Sequence, residues 1–223
     1  YIKSVVFDDG ITYVGDYAFY NGGNGYKYKK LVSVDFGSVE EIGDYAFRGC
    51  AALSTTSSCD LVEIIGSNAF RSCTSLTDFT FSNIEEICEG AFNGSGLESI
   101  DLPETIRTIR SSAFENCENA QSITVPRLTA IIKDRAFANC TGVSYLTFEA
   151  SAVSTLGIGI FNNTGAPDGM TLEIGTYVSK IPDGLFSGCY NLTEITGGGR
   201  VSTIGKEAFA HTGITHFEVN SVL

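Results

Sequence analysis

The sequence predicts an α/β repeat: a solenoid of about nine rungs of 22–25 residues, with parallel strands on one face and short helical turns on the other. Three observations predict it. The first is a motif, Val14-Gly15-Asp16-Tyr17-Ala18-Phe19, which recurs as Ile42-Gly43-Asp44-Tyr45-Ala46-Phe47 and Ile65-Gly66-Ser67-Asn68-Ala69-Phe70. It continues through Phe92, Phe114, Phe137, Phe161, Phe186 and Phe209, at spacings of 28, 23, 22, 22, 23, 24, 25 and 23 residues. The second is an alternating apolar segment between the motifs, and the third a column rich in Gly and Asn just after each Phe.

The alternating segment reads as a strand with one buried face. Leu76-Thr77-Asp78-Phe79-Thr80-Phe81, Leu97-Glu98-Ser99-Ile100-Asp101-Leu102 and Ile214-Thr215-His216-Phe217-Glu218-Val219 share the pattern. Pro103 and Pro126 follow two of these strands, where they end ladder donation. The Ala-Phe segment reads as one helical turn, with Asp16, Asp44, Ser67, Ser111 and Asp183 ahead of it as side-chain caps. Two residues past each Phe stand Asn21, Gly49, Ser72, Gly94, Asn116, Asn139, Asn163, Gly188 and His211, which suits a left-handed backbone.

One such unit cannot bury its own apolar face, and stacking in register solves that. The phenylalanines then form a ladder in which burial contributes roughly 2 kcal/mol per ring. Truncating one ring should cost about 3–5 kcal/mol. Strands roughly 4.8 Å apart give nine rungs a span of about 43 Å. The pattern resembles the BspA-like leucine-rich repeats, whose members read roughly Leu-x-x-Ile-x-Leu-Pro followed by Ile-x-x-Ile-Gly-x-x-Ala-Phe-x-x-Cys. The match runs from Ile11 to Val219. It implies a right-handed leucine-rich-repeat solenoid, here a single one over residues 1–223, and Tyr1 opening in mid-motif reads as a piece of a longer chain. Departures are local: an enlarged loop from Gly22 to Lys30, Thr56 at an apolar strand position, and Gly197 at another.

The net charge of −12 argues against binding phosphate backbones and anionic lipid surfaces. No apolar run reaches the ~20 residues of a membrane span, so this segment is not expected to insert. Five of seven cysteines, at 50, 73, 117, 140 and 189, lie three residues after the motif Phe, where other rungs carry Gly22, Ser95, Thr164 and Thr212. Exchange of Cys with Ser and Thr suits a small buried side chain bonded to backbone, not a disulfide framework. Neighbouring parallel strands also hold side chains about 4.8 Å apart, beyond the preferred Cβ separation of roughly 3.8 Å. Pairing of Cys50 with Cys73, or Cys117 with Cys140, is the alternative.

Catalytic and metal sites are not expected, nor is any cofactor. His211 and His216 sit outside any metal-binding or nucleophile motif, and there is no CxxC. The pairs Glu40-Glu41 and Glu85-Glu86 fall on an outer turn instead of converging on a cleft. The glycine runs at Gly22-Gly23-Asn24-Gly25 and Gly197-Gly198-Gly199 lack a following Gly-Lys-Ser/Thr, so they read as flexible loops. Tyr26, Lys27, Tyr28, Lys29 and Lys30 form one basic-aromatic cluster. Acceptor patterns for glycosylation begin at Asn93, Asn139, Asn162 and Asn191, three of them in or beside the turn column that already demands Asn.

Period-two alternation places one solvent-facing column at Ser33, Asp78, Ser99, Ser122, Tyr145, Thr171, Glu194 and His216. Its neighbour holds Asp35, Thr80, Asp101, Thr124, Thr147, Glu173, Thr196 and Glu218. From these, Asp35, Asp78, Asp101, Tyr145, Glu173, Glu194, His216 and Glu218 are the candidate protein-binding residues: acidic, shallow and suited to a basic protein segment. A solvated sheet is the plainer reading of the same columns. The family resemblance implies an extracellular or cell-surface adhesion module that contacts host matrix or epithelial proteins, without catalysis. A passive spacer displaying another domain is the alternative, and a glycan-recognising accessory domain is a third reading that only Tyr145 supports.

Overall fold

The computed structural model describes residues 1–22, 28 and 30–217. The chain is a parallel-strand β-solenoid with two strand ladders per rung. The long-strand ladder holds β1 (Ser4–Val6), β3 (Ser33–Asp35) and β5 (Thr55–Ser57) in one sheet. A second sheet on that ladder holds β8 (Ser99–Asp101), β10 (Ser122–Val125), β12 (Tyr145–Phe148), β14 (Met170–Ile174) and β16 (Leu192–Gly197). The short-strand ladder runs β2 (Tyr13–Val14), β4 (Glu41–Ile42), β6 (Ile64–Ile65), β7 (Glu86–Ile87), β9 (Thr108–Ile109), β11 (Ile131–Ile132) and β13 (Thr155–Leu156). Beyond it stands a separate pair, β15 (Lys180–Ile181) and β17 (Thr203–Ile204).

The longest continuous ladder therefore fixes about seven turns of the solenoid. The column of motif phenylalanines runs further, from Phe19 to Phe209, with successive centroids 5.1–5.5 Å apart. No single strand ladder follows it throughout, so the expected nine rungs are not joined by one sheet. The short ladder breaks between β13 and β15 for a covalent reason. In each earlier rung the residue after the short strand donates its amide to the preceding rung, as Gly66 does to Ile42 and Gly157 to Ile132, both at 2.7 Å. Pro182 holds that position next and has no amide hydrogen.

The expected helical turns are corrected as well. Among the described residues there is no α-helix, and the one 3₁₀ turn, Cys59–Leu61, lies away from the Ala-Phe segments. Those segments are turns that divide their amides between two directions. Tyr45, Phe47 and Gly49 donate to Ser67, Ala69 and Arg71 of the next rung, each at 2.8 Å. The intervening Ala46, Arg48 and Cys50 donate three residues back along their own chain. A helix would keep every amide for itself. Helical geometry is also broken two residues before each Phe, where Tyr17, Tyr45, Asn68, Ser112, Arg135 and Glu207 have φ of 55–57°.

The left-handed column expected after each Phe is present at Gly49, Ser72, Gly94, Asn116, Asn139, Asn163, Gly188 and His211. The caps work across rungs: Asp16, Asp44 and Asp183 accept from the amides of Asp44, Ser67 and Lys206. All seven cysteines are free thiols. Cys50, Cys73, Cys117 and Cys140 donate to the carbonyls of Phe19, Phe47, Phe92 and Phe114 at 3.2 Å, and Thr164 does the same to Phe137 at 2.6 Å. That shared bond explains the exchange of Cys with Thr164, whereas Ser95 meets the Cys117 thiol at 3.4 Å and Thr212 bonds the Phe209 carbonyl of its own rung. Burial pushes the Cys50 and Cys59 thiols up to about 12, and Cys73 and Cys189 well above the ordinary value.

Candidate functional site

The strand-face residues do not form one continuous strip. Asp78 lies in an extended segment that joins neither long sheet, so it is exposed but not on a strand as expected. Its rung turns Phe79 and Phe81 inward, where the next rungs put Ile100 and Leu102, then Ile123 and Val125. The two rings meet at 5.0 Å and wedge against Phe70 and Phe92 at 5.3 and 5.2 Å from Phe79. An inward Phe is compatible with the ladder, since β12 carries Phe148, and the Thr77 carbonyl of this segment still accepts from the Glu98 amide at 2.9 Å.

The sheet breaks there into two patches. Asp35 belongs to the first, half-buried in β3 opposite Val6 and Ser57. The Ser58 hydroxyl and the Gly37 amide, the latter at 3.2 Å, hold its carboxyl below the usual carboxylate range. The second patch contains Asp101, Tyr145, Glu173 and Glu194, brought together by strand register. Tyr145 pairs with Thr171, Thr147 with Glu173, and Thr171 with Glu194. The Tyr145 hydroxyl donates to Glu173 Oε2 at 2.6 Å, and this bond raises the phenol above its ordinary pKa. Thr171 donates to Glu194 and Thr124 to Asp101, both at 3.2 Å. His216 is exposed, lies outside any strand, and faces Glu194 across a groove of about 390 Å³ lined also by Thr193, Thr196 and Thr215. Glu218 lies outside the described residues, as do Tyr26, Lys27 and Lys29.

Period-two reasoning stopped at the strand ends and missed the rim beyond them. A groove of about 480 Å³ lies there, bounded by Glu149, Glu173, Thr176, Arg200 and the glycine run. Exposed Tyr177 beside it is sandwiched between Arg127 at 4.7 Å and Arg200 at 5.6 Å. The face free of Lys and Arg thus carries two guanidinium groups on its edge. The glycine run ends β16 at Gly197 and enters a turn at Gly199 and Arg200. Gly197 extends β16 with φ +77°, and a Cβ there would lie 2.2 Å from the Ile174 carbonyl.

Other candidates resolve into scaffold. Glu40, Glu41 and Glu85 are solvated, and Glu86 pairs with Arg110. The glycosylation-pattern residues Asn93 and Asn139 serve an amide ladder that runs from Asn163 through Asn139 and Asn116 to Asn93, with bonds of 3.0, 3.0 and 3.5 Å. Among the described residues no group of three or more His, Cys, Asp or Glu could hold a metal ion, and no helix is long and apolar enough to cross a membrane.

A family model described as a BspA-type leucine-rich repeat region matches residues 1–121 and 107–223, in six copies. The chain belongs to the BspA-type leucine-rich-repeat family. Curated proteins give no match to this BspA-type sequence. Among solved structures, it is similar to a leucine-rich cell-surface protein of Faecalibacterium prausnitzii, at 22% identity and a TM-score of 0.64. That likeness covers 93% of this chain and 66% of the other, so the chain spans about two thirds of that protein's length. A leucine-rich repeat protein of Bacteroides ovatus is similar over 94% of this chain and 72% of its own, at 21% identity and a TM-score of 0.46. At 22% identity the first of these likenesses speaks to the fold alone.

Proposed function

We propose that this BspA-type solenoid, residues 1–223 acting as one unit, is a non-catalytic protein-recognition module displayed on a cell surface. The observation that supports it best is the registered patch of Tyr145, Glu173 and Glu194, exposed or half-buried side by side on three paired strands. Solenoids use extended strand surfaces of this kind for binding. Carboxylates around an amphipathic phenol suit a basic segment of a partner. Asp101 and His216 extend the patch to either side, Asp35 lies on the separate first patch and Asp78 on the segment between them; Glu218 is included on its place in the sequence pattern. The description of the F. prausnitzii protein as a cell-surface protein supports the location, and membership of the family supports host matrix or epithelial proteins as the partner class.

The test is biolayer interferometry of the chain against matrix, plasma and mucin proteins, at low and physiological salt. Saturable binding to one of them, weakened about tenfold or more by a triple change of Asp78, Asp101 and Glu173 to Lys, is expected. Unchanged affinity in a folded triple variant rejects the patch. A passive spacer is the second reading. It is favoured by the way Thr124–Asp101, Tyr145–Glu173 and Thr171–Glu194 satisfy one another without a ligand. Silence across the panel supports the spacer.

A further inference from the structure

The seam between the rungs of Phe161 and Phe186 differs from every other junction in the described stack. At each regular junction the amides two residues before, at, and two residues after the motif Phe donate to the next rung. Arg135, Phe137 and Asn139 do so to Ile158, Ile160 and Asn162. At the seam the amides of Gly159 and Phe161 have no such acceptor, and Asn163 reaches Gly188 in place of Ser187, a slip of one residue. On the adjoining face the carbonyls of Ser154 and Leu156 receive no amide from the Ser179–Pro182 segment. Pro182 accounts for one missing bond, since it has no amide to give to Leu156. Ile158 stands where Asp16, Asp44, Asp134 and Asp183 supply a carboxylate, so the Asp183 amide also lacks a cross-rung acceptor.

The rungs do not separate at the core. The Phe161 and Phe186 rings stay 5.5 Å apart, though tilted by 24°, and β12 and β14 remain paired over four residues. The junction instead opens outward. Two adjoining grooves, of about 440 and 400 Å³, make up the cleft along the seam and share Gly157, Ile158 and Asp183 in their walls. Its rims carry backbone donors and acceptors with their ladder partners missing. Ile158 stands over it with 83% of its surface exposed, and Tyr190 with 58%.

We propose that this cleft is a second binding site, which takes an extended peptide segment of another protein. A row of unpaired amides and carbonyls is a template for an added strand, and here it is broken into an otherwise continuous ladder. The incoming backbone bonds the Ser154 and Leu156 carbonyls and the Gly159 amide, while an apolar side chain covers Ile158. The site is separate from the long-strand patch and does not depend on its function.

A phage-displayed library of random peptides, panned on the full chain, tests this. The enriched peptide is then measured by fluorescence anisotropy against the wild type, Ile158→Glu and Pro182→Gly. The first variant removes the exposed apolar contact without touching the core. The second restores the residue that most rungs carry and supplies the missing donor to Leu156. A loss of about tenfold or more is expected in both variants and on N-methylation of alternate peptide amides. Amide shifts confined to Gly157–Phe161 and the opposite rim should accompany it, with binding retained when Asp78, Asp101 and Glu173 are changed to Lys. No enrichment, retained affinity in either variant, or shifts on the long-strand ladder overturns the proposal.

Discussion

Two junctions in the stack show what holds a solenoid of this kind together. Between the rungs of Phe114 and Phe137 the rings lie 5.4 Å apart and within 3° of parallel. There Ser112, Phe114 and Asn116 donate to Asp134, Ala136 and Ala138, and Lys133 donates back to Ile109. Between the rungs of Phe161 and Phe186 most of those bonds are absent, yet the rings are still 5.5 Å apart. Ring packing and the long-strand ladder keep the rungs stacked, and the turn and short-strand bonds set their register and tilt. This division follows from magnitudes. A buried ring contributes roughly 2 kcal/mol, whereas a backbone hydrogen bond exchanged with water nets about 1 kcal/mol.

The largest effect that could break this comparison is ring truncation. Phe114→Ala should cost about 3–5 kcal/mol in chemical denaturation. Phe186→Ala should fall at or below the lower end, because the adjoining cleft lets the site relax. A larger loss at Phe186 would show that the seam is not the weaker junction. Next, Asp134→Ala removes the carboxylate that accepts from the Ile158 amide at 2.7 Å and should cost about 1 kcal/mol. Pro182→Gly should change stability by less than about 1 kcal/mol, because the bond it allows to Leu156 and the added chain entropy offset each other. Hydrogen exchange would then report new protection at the substituted amide.

Smaller still, Cys140→Ser should change stability by less than about 1 kcal/mol, because Thr164 makes the same carbonyl contact one rung on. Cys140→Val should cost more than Cys140→Ser, since it leaves the Phe114 carbonyl with the Cys117 amide as its one remaining donor. The last prediction concerns titration. Glu173→Gln should return the Tyr145 phenol toward its ordinary value, read by NMR of labelled tyrosine. Since the folded pKa is raised, any stability from this pair is fully present below the ordinary tyrosine value. It is lost as pH rises through the raised one. An unmoved Tyr145 titration would show that the Glu173 bond does not set it.

The repeat, the buried phenylalanine column and the Cys position were legible because each rung must satisfy the same packing and backbone demands. The left-handed Gly and Asn column after each Phe was legible for the same reason. Its counterpart two residues before the Phe was not, because Tyr17, Tyr45 and Arg135 hide a left-handed backbone behind side chains that rarely adopt it. The candidate face was half legible. Alternation placed Tyr145, Glu173 and Glu194 correctly on neighbouring strands, but it could not foresee that the segment of Asp78 would leave the sheet. Nor could it reach Tyr177, Arg127 and Arg200 in the bends beyond.

By itself the sequence determined which residues face inward and how often, since a fixed period and a one-dimensional stack leave little else to choose. The tertiary structure alone decided where each amide goes. A turn amide satisfied by its own chain and one satisfied by the neighbouring rung need the same residues, and only stacking selects between them. Pro182 and Ile158 were visible throughout as ordinary departures from a motif. Each withholds a group that the neighbouring rung would have bonded, and the short ladder breaks between them.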